Sequence, residues 1–256
     1  GDLGFSLSQS LFVFEENMTN QLKAKKAFEP VENTNTNKSI ADKELINNQI
    51  MQRISEDIEG RDRAKVDINA PASLENGPVL AWFDDLNNPE TVAVDWITLS
   101  YGDGEGAGET FELVELLELG NYSFFAGDLV EGYRNNTIAV AGSPIFDFSD
   151  ITIEGTPYMP SYIAFDYMAN LEAGYDFFYV NVLSNGQRVA TLDITYEGSL
   201  VNDGKFYTAY LDLMAFSGME NVEFWFIMNT DESYVDGVGA IFDNVGIVLN
   251  ESPYFY

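Results

Sequence analysis

Carboxylates are nearly the only side chains in this sequence with the chemistry to serve a reactive or metal-binding site. The chain has 42 Asp and Glu residues, and it contains neither His nor Cys. Without His, a Ser-His-Asp triad and an H-E-x-x-H zinc site are excluded, and without Cys no disulfide staples the fold. Two kinds of chemistry remain for the carboxylates: oxygen ligands for Ca²⁺, or the paired acids of a glycoside hydrolase.

The spacing of these carboxylates argues against glycoside hydrolysis. Glu112, Glu115 and Glu118 are regularly spaced, but they fall in an apparent strand, where side chains point to alternating faces. The acidic, Gly-rich stretch 101–108 lacks the residue pattern of an EF-hand, and a flexible hairpin loop is the simpler interpretation. We therefore expect a protein that is not an enzyme.

The net charge of -30 determines which partners the chain attracts. A surface this negative repels nucleic acid and anionic lipid, and it attracts cations and basic proteins; solubility in salty surroundings is the simpler consequence. No apolar run reaches the roughly 20 residues needed to cross a bilayer. Because the sequence begins with Gly1 rather than Met, we expect either a mature secreted form or the remnant of a tag. The predicted location is extracellular or on the cell surface.

The basic residues are concentrated near the N-terminus and mark a domain boundary. Nine of the 12 Lys and Arg residues lie within 1–65, whereas the remainder of the chain is strongly acidic. This break in composition predicts an N-terminal extension at 1–70 and a larger domain at 71–256.

Two apolar patterns occur within this extension, and each needs a partner surface. Residues 5–14 alternate with the period of a strand, which places four apolar side chains on one face: Phe5, Leu7, Leu11 and Val13. After a polar linker at 17–38, a helix predicted at 39–59 has isoleucines at every fourth position: Ile46, Ile50, Ile54 and Ile58. The strand either folds back as an edge strand of its own domain or completes the sheet of a neighbouring copy. The helix docks either on its own sandwich or on a neighbour.

From about residue 78 onwards the sequence has the pattern of a β protein. Ten short segments rich in β-branched and aromatic residues are separated by turn signals: 79–83, 92–99, 111–119, 137–140, 162–167, 177–183, 189–195, 206–213, 222–228 and 240–248. Asn185-Gly186 predicts a tight hairpin between two of them. We expect an all-β antiparallel sandwich, in which 39–59 is the one helix of good quality.

Seven segments of this β region follow one another in the order of a known family. They are WFDD at 82–85, SPIFDFS at 143–149, IAFDY at 163–167, EAGYDFFYVNV at 172–182, YLDL at 210–213, WFIMNTD at 225–231 and GAIFDNV at 239–245. They resemble the jelly-roll domain of immune-inhibitor-A-type secreted metallopeptidases and MAM-like modules, over about residues 80–250. The resemblance implies a jelly-roll sandwich that serves as an accessory or binding module. The peptidase half of such relatives, with its zinc-binding histidines, has no counterpart here, so proteolysis does not transfer.

The resemblance also implies a bound ion. In jelly rolls of this kind a structural Ca²⁺ commonly ties the first strand to the last, and the matching positions hold Asp84, Asp85 and Asp243. Ca²⁺ requires several oxygen ligands, which carboxylates and backbone carbonyls supply. The competing interpretation is that these acids are solvated loop residues in a chain that has very many of them.

Two functions from different classes fit these observations. The first is a structural protein that assembles into a filament or layer of its own copies through the strand at 5–14, with stabilising Ca²⁺. The alternative is a secreted carbohydrate-binding or adhesion module, a role that jelly-roll relatives often have, although a fold never fixes a function. Trp82, Trp96, Trp225 and Tyr133 have the side chains of a sugar-stacking platform, but such residues more often fill a sandwich core.

Overall fold

The protein is a β-sandwich of two sheets that face each other, and the described residues contribute seven strands to each. The computed structural model describes residues 40–71, 78–115, 121–193, 204–233 and 237–252. The jelly-roll antiparallel sandwich predicted from the sequence is the observed fold. Within the described part of the chain, no helix is both long and apolar enough to cross a membrane.

The first sheet, sheet A, has two long buried strands at its centre. Its strands are β1 (Lys65–Val66), β3 (Ile97–Ser100), β6 (Ile138–Gly142), β7 (Ile145–Phe146), β10 (Phe177–Ser184), β11 (Gln187–Asp193) and β13 (Val222–Asn229). The spatial order is β1-β7-β13-β10-β11, and β6 pairs with both β13 and β3. Successive side chains of β13 alternate between the core and the opposite face: Phe224, Phe226 and Met228 face the second sheet, whereas Trp225 and Ile227 face away from it.

The second sheet, sheet B, is organised around two of the longest strands. Its strands are β2 (Val79–Asp84), β4 (Glu112–Glu115), β5 (Tyr122–Gly127), β8 (Ile151–Ile153), β9 (Thr156–Asn170), β12 (Phe206–Asp212) and β14 (Gly239–Glu251). The spatial order is β12-β9-β14-β5-β4, with β2 paired to β14 and β8 paired to β9. Because β2 and β5 pair with different parts of β14, that strand joins two halves of the sheet.

An aromatic cluster fills the space between the sheets. Phe226 of sheet A stacks on Phe242 of sheet B, with ring centroids 4.1 Å apart. Trp96 contacts both rings and also Phe124, at centroid distances of 6.0, 5.7 and 5.3 Å respectively. Aromatic pairs of this kind contribute about 0.5–1.5 kcal/mol each beyond the area that they bury. Trp96 therefore belongs to the core and not to a surface platform.

Helix α1 (Ile40–Ile58) covers the outer face of sheet A. Ile50 and Ile54 are buried, and Ile46 and Ile58 are partly buried in the same cluster. The cluster's sheet side consists of Tyr101, Val140, Phe177, Tyr179, Leu183, Trp225 and Ile227, with Ile97, Leu99 and Ile138 partly buried at its rim. Since a fully buried Ile contributes about 1.5–3 kcal/mol, the stripe accounts for docking on the chain's own sandwich.

A buried polar network sets the position of α1 along the sheet. Asn47 and Asn181 exchange side-chain hydrogen bonds, with the Nδ2 of each donating to the Oδ1 of the other at 3.2 and 2.7 Å. Thr191 Oγ1 donates to Asn181 Oδ1 at 2.7 Å, and Arg188 Nη1 donates to Thr191 Oγ1 at 2.7 Å. Arg188 also pairs with Glu44 at 2.7 Å. A shift of the helix would leave buried amides without partners, at a cost of about 1–3 kcal/mol each.

The segment after α1 joins the extension to sheet A. β1 pairs in parallel with β7, and Arg63 forms an ion pair with Glu223 at 2.7 Å, where each side chain is 6% exposed. Residues 40–70 of the predicted extension therefore share their core with the sandwich. The rest of that extension, including the strand predicted at 5–14 and the linker at 17–38, lies outside the described residues.

One predicted strand is wrong, because it begins with a helix. Residues 92–99 were expected to be extended, but α2 (Pro89–Asp95) precedes a strand that starts only at Ile97. Asn88 Oδ1 accepts from the backbone N–H of Glu90 and Thr91 at 3.2 and 3.4 Å, and Pro89 occupies the first turn. These are strong helix-start signals, and they outweigh the β-branched residues that follow.

Turn residues at the hairpin behave as the sequence predicts. Asn185 and Gly186, between β10 and β11, have φ angles of 51° and 73°, as a type I′ turn requires. The strand predicted at 162–167 is much longer in the structure, where β9 spans Thr156–Asn170, and the sequence does not predict β1, β5 or β8. Of the strand predicted at 111–119, the described part is β4.

Candidate functional site

The outer face of sheet B carries the side chains that its strands turn away from the core. In β9, Ile163 and Phe165 lie in the core. Tyr162, Ala164 and Asp166, at the intervening positions, therefore lie on the outer face. The register of β9 with β12 and β14 aligns these positions in rows that run across the sheet.

The first row, which we call the aromatic row, has an aromatic side chain at each end. It runs from Tyr210 in β12 through Ala164 in β9 and Gly246 in β14 to Phe83 in β2. Tyr210 is 65% exposed and Phe83 is 41% exposed. Tyr162 lies edge-on to Tyr210, with ring centroids 5.5 Å apart. Because Ala164 and Gly246 have the smallest side chains, the row forms a shallow trough between aromatic walls.

The second row, which we call the acceptor row, lies two residues further along the strands. Thr208 of β12, Asp166 of β9 and Asp243 of β14 are cross-strand neighbours, and Ser123 of β5 follows. Thr208 Oγ1 donates to Asp166 Oδ1 at 2.6 Å, and Ser123 Oγ donates to Asp243 Oδ2 at 3.1 Å. The two carboxyl groups are thereby fixed beside the trough, where Asp166 is 2% exposed and Asp243 is partly buried.

A β-bulge at Asn244 connects the two carboxylates. The register of β14 against β9 shifts between Asp243 and Gly246, and Asn244 has a φ of 52°. Asn tolerates this left-handed conformation better than most residues, and a bulge changes the direction of a side chain. Asn244 donates from its backbone N to Asp243 Oδ1 at 2.7 Å and from its Nδ2 to Asp166 Oδ2 at 3.0 Å.

Burial raises the pKa values of Asp166 and Asp243. Loss of solvent raises the pKa of Asp243 to about 8, and the charges of Asp166 and Asp85 act in the same direction. Burial also raises the pKa of Asp166, against the hydrogen bonds from Thr208 and Asn244. The face is therefore less negative near neutral pH than its two carboxyl groups suggest.

An apolar row bounds the acceptor row on its other side. Phe206, Met168, Ile241 and Phe125 follow one another across β12, β9, β14 and β5, and all four are buried. The trough is thus open on the side of the aromatic row and closed beyond the acceptor row.

A second group of carboxylates lies in the loops at one end of the sandwich. Glu172 and Asp176 come from the loop between β9 and β10, and Asp231 follows β13. Their carboxylate oxygens lie within 4.8 Å of one another, and they are the one such acidic group within the described ranges. Asp176 is 2% exposed; its Oδ2 accepts from Tyr133 Oη at 2.6 Å and its Oδ1 from the Asp231 backbone N at 2.8 Å.

The loop carboxylates have the dimensions of a Ca²⁺ site. Ca²⁺ lies about 2.3–2.6 Å from its oxygen ligands, so oxygens on opposite sides of one ion are up to about 5 Å apart. Burial, together with the charges of Asp231 and Glu172, raises the pKa of Asp176 to about 7, against the hydrogen bonds from Tyr133 and the Asp231 backbone. A proton or a bound cation removes the repulsion among these three carboxylates.

The carboxylates predicted to bind Ca²⁺ accept hydrogen bonds from neighbouring protein groups. Asp84 Oδ2 accepts from Trp96 Nε1 at 2.8 Å and its Oδ1 from the Leu86 backbone N at 2.8 Å. Asp85 Oδ1 accepts from a backbone N–H in its own loop, and Asp243 belongs to the acceptor row. In the part of the chain that the structure describes, these three do not form a group with oxygens close enough for one ion. Ca²⁺ at these positions stays a prediction.

The other predicted site residues fall into two groups. Trp96, Trp225 and Tyr133 are buried, Trp82 is partly buried against the core, and the four do not form a platform. The predicted assembly residues Phe5, Leu7, Leu11 and Val13 lie outside the described residues, so assembly through them stays a prediction.

The aromatic and acceptor rows were missed because they depend on strand register. Strand alternation was a usable signal in β9, since Tyr162, Ala164 and Asp166 alternate with core residues. It does not reveal that Tyr210 and Phe83, far apart in sequence, end the same row. The loop carboxylates Glu172, Asp176 and Asp231 all occur in the segments that carry the family resemblance, but the sequence does not show that they meet.

No protein-family model matches the sequence, and no curated protein matches it. The solved structures with a similar fold include TmCBM27, a carbohydrate-binding module that recognises mannan, with 15% identity and a TM-score of 0.39 over 69% of this chain and 100% of that one. They also include an adhesin domain of Lys-gingipain from Porphyromonas gingivalis W83, with 15% identity and a TM-score of 0.36 over 65% of this chain and 96% of that one. CBM27-1 of Caldicellulosiruptor saccharolyticus, in complex with mannohexaose, has 17% identity and a TM-score of 0.36 over 67% of this chain and 97% of that one. Likenesses this distant carry no argument about function, and the resemblance to immune-inhibitor-A-type jelly rolls stays a prediction.

Proposed function

We propose that this chain is a non-catalytic carbohydrate-binding module of an extracellular or cell-surface protein. The observation that supports this proposal is the trough between exposed Tyr210 and Phe83, with the acceptor row beside it. A sugar ring has C–H bonds on its faces and hydroxyl groups on its rim. The aromatic walls pack against the faces, while the carboxyl group of Asp243, which is more exposed than that of Asp166, forms hydrogen bonds with the hydroxyls. Apolar surface with a few fixed polar groups is the usual composition of a ligand site.

Binding without turnover agrees with the arrangement of the carboxyl groups. A glycoside hydrolase places a proton donor and a second carboxylate on either side of the scissile bond. Asp166 and Asp243 lie instead side by side in one row, and each accepts two hydrogen bonds from neighbouring residues. We therefore assign them to ligand orientation.

Calcium belongs to this proposal as a stabilising ion. The group formed by Glu172, Asp176 and Asp231 fits the dimensions of the ion better than the positions predicted from the family resemblance. These residues would hold Ca²⁺ between two loops at one end of the sandwich, where the ion neutralises buried charge.

Self-assembly through residues 5–14 is a separate prediction, and a truncation separates it from glycan binding. If the N-terminal strand serves assembly only, removal of residues 1–39 leaves glycan binding by sheet B unchanged. Loss of glycan binding on this truncation would show that the N-terminal segment contributes to the ligand site.

Affinity electrophoresis of the full chain in gels containing neutral polysaccharides tests the proposed function. Tyr210→Ala and Phe83→Ala are each expected to weaken binding at least about tenfold, or about 1.4 kcal/mol. Val189→Ala, in β11 of sheet A, is the matched control, because Val189 is 42% exposed and Phe83 is 41% exposed. Absence of binding to every polysaccharide, or binding that neither aromatic substitution weakens, would refute the proposal.

A further inference from the structure

The aromatic row and the acceptor row run in the same direction, across the strands. From Tyr210 to Phe83 the aromatic row crosses three inter-strand spacings, which is about 14 Å. The acceptor row lies two residues further along the strands, at a distance of about 7 Å. A ligand that contacts both aromatic ends and the acceptor row must therefore be elongated and lie perpendicular to the strands.

The surroundings of the two rows disfavour a ligand that runs along the strands. Beyond Asp166 and Asp243 such a ligand would reach the buried apolar row, which offers no hydrogen-bonding side chain. The row that precedes the aromatic row contains Tyr162 and Val248, and Val248 is buried. Only a path across the strands keeps each part of the ligand beside the acceptor row.

Gly246 allows one wall of the trough to pack closely against β14. A Cβ atom at this position would lie 3.3 Å from Leu80 Cδ1 and 3.3 Å from Phe83 Cδ2. The absence of a side chain therefore lets Leu80 and Phe83 lie close to the strand. On the other side of Ala164, Tyr210 and Tyr162 form the second wall.

The charge of the face discriminates among glycans. The aromatic row, the acceptor row and the row that begins at Asp212 in β12 lie side by side on this face. They contain the carboxyl groups Asp166, Asp243 and Asp212, and none of them contains Lys or Arg. Carboxylate or sulfate groups on a ligand would be repelled by exposed Asp212 and by the chain's net charge of -30. An ammonium group would gain charge attraction but would lose its hydration on a partly apolar face. Hydroxyl groups match the acceptors without either cost.

We infer that the ligand of this face is an uncharged, linear oligosaccharide that crosses β12, β9, β14 and β2, with its central sugar over Ala164. The inference rests on the proposed function and adds to it the charge, the shape and the direction of the ligand. A single sugar reaches one aromatic wall, whereas a short chain reaches both walls and the acceptor row together.

Isothermal titration of the full chain with neutral β-linked oligosaccharides tests the length requirement. Cello-, manno- and xylo-oligosaccharides are compared from the monosaccharide to the hexasaccharide. In the series that binds, affinity is expected to rise at least about tenfold between the monosaccharide and the trisaccharide, and then to level off. Oligogalacturonates of the same lengths are expected not to bind, and chitosan oligomers to bind only at low salt.

A substitution in the trough tests the position of the ligand. Ala164→Phe places a ring on the floor between the walls and is expected to reduce trisaccharide affinity at least about tenfold while leaving monosaccharide affinity nearly unchanged. Val189→Phe places the same ring on the exposed surface of sheet A and is expected to change neither affinity. Thermal unfolding of both variants confirms that each is folded.

The outcomes separate the inference from the proposed function. Affinity that is independent of oligosaccharide length, or equal affinity for oligogalacturonates, overturns the inference while the binding function stands. Unchanged trisaccharide affinity in a folded Ala164→Phe variant also overturns it. No binding to any polysaccharide or oligosaccharide overturns both.

Discussion

Phe226 and Phe242 stack across the interface between the two sheets, with ring centroids 4.1 Å apart and an angle of 10° between their planes. Both rings are fully buried, and they are the closest aromatic pair among the described contacts of the core. Phe242 directly precedes Asp243 in β14. Adjacent residues of this strand therefore face the core and the outer face of sheet B.

Phe242→Ala is expected to reduce the free energy of unfolding by about 3–5 kcal/mol, because it removes a large buried ring and leaves a cavity. Urea denaturation measures the change. Met214→Ala, at a site that is 53% exposed, is the control and is expected to alter stability by no more than about 0.5 kcal/mol. A loss of less than about 1 kcal/mol for Phe242→Ala would contradict the central place of the stack.

Asn181→Ala is expected to cost about 1–3 kcal/mol, because it removes both hydrogen bonds between the buried amides and leaves Asn47 Oδ1 without the Asn181 donor, while Asn47 Nδ2 keeps its bond to Thr191 at 3.1 Å. In a double-mutant cycle with Asn47→Ala, the two effects should be non-additive by at least about 0.5 kcal/mol. Gln52→Ala, on the exposed side of the same helix, provides the comparison, since its hydrogen bond to Glu56 is exposed. Strict additivity would show that the two amides do not act as one network.

Addition of Ca²⁺ to protein pretreated with a chelator is expected to raise the unfolding temperature. At a concentration about 100 times the dissociation constant the ion stabilises by about 2.7 kcal/mol. Asp176→Asn should abolish this response, whereas Asp84→Asn should retain it. The opposite pattern would assign the ion to the positions predicted from the family resemblance, and no response in the wild type would remove calcium from the proposal.

The raised pKa of Asp243 predicts a pH dependence of stability. Because the folded-state pKa is about 8 and the ordinary value is 3.8, folding favours the protonated carboxyl group. Its contribution to stability is fully present below about pH 4 and is lost as the pH rises through about 8. Asp243→Asn is permanently uncharged and should escape this loss.

Urea denaturation of the wild type and Asp243→Asn across this pH range measures the difference. We expect the variant to become more stable relative to the wild type as the pH rises. Asp103→Asn, at an exposed loop position, removes the same charge and is expected to run parallel to the wild type. Parallel behaviour of Asp243→Asn would show that its carboxyl group titrates as a solvated acid.

Local patterns predicted those parts of the fold that depend on residues close together in sequence. The isoleucines at every fourth position gave the buried face of α1, and Asn185-Gly186 gave the hairpin between β10 and β11. Local signals for helix and for strand can occur in the same segment, as they do at residues 92–95. Their β-branched side chains suggested a strand, while Asn88 and Pro89 start a helix that includes them.

The sequence by itself determined that this chain is an all-β protein with an acidic sandwich and one long docking helix, because alternation and helical periodicity are properties of neighbouring residues. Only the tertiary structure decided that Tyr210 and Phe83 end one row, and that Glu172, Asp176 and Asp231 meet at one end of the sandwich. The register of paired strands and the packing of loops against each other bring together residues that are distant in sequence. The bulge at Asn244 shifts the register by one residue, and with it the side chains that the outer face presents.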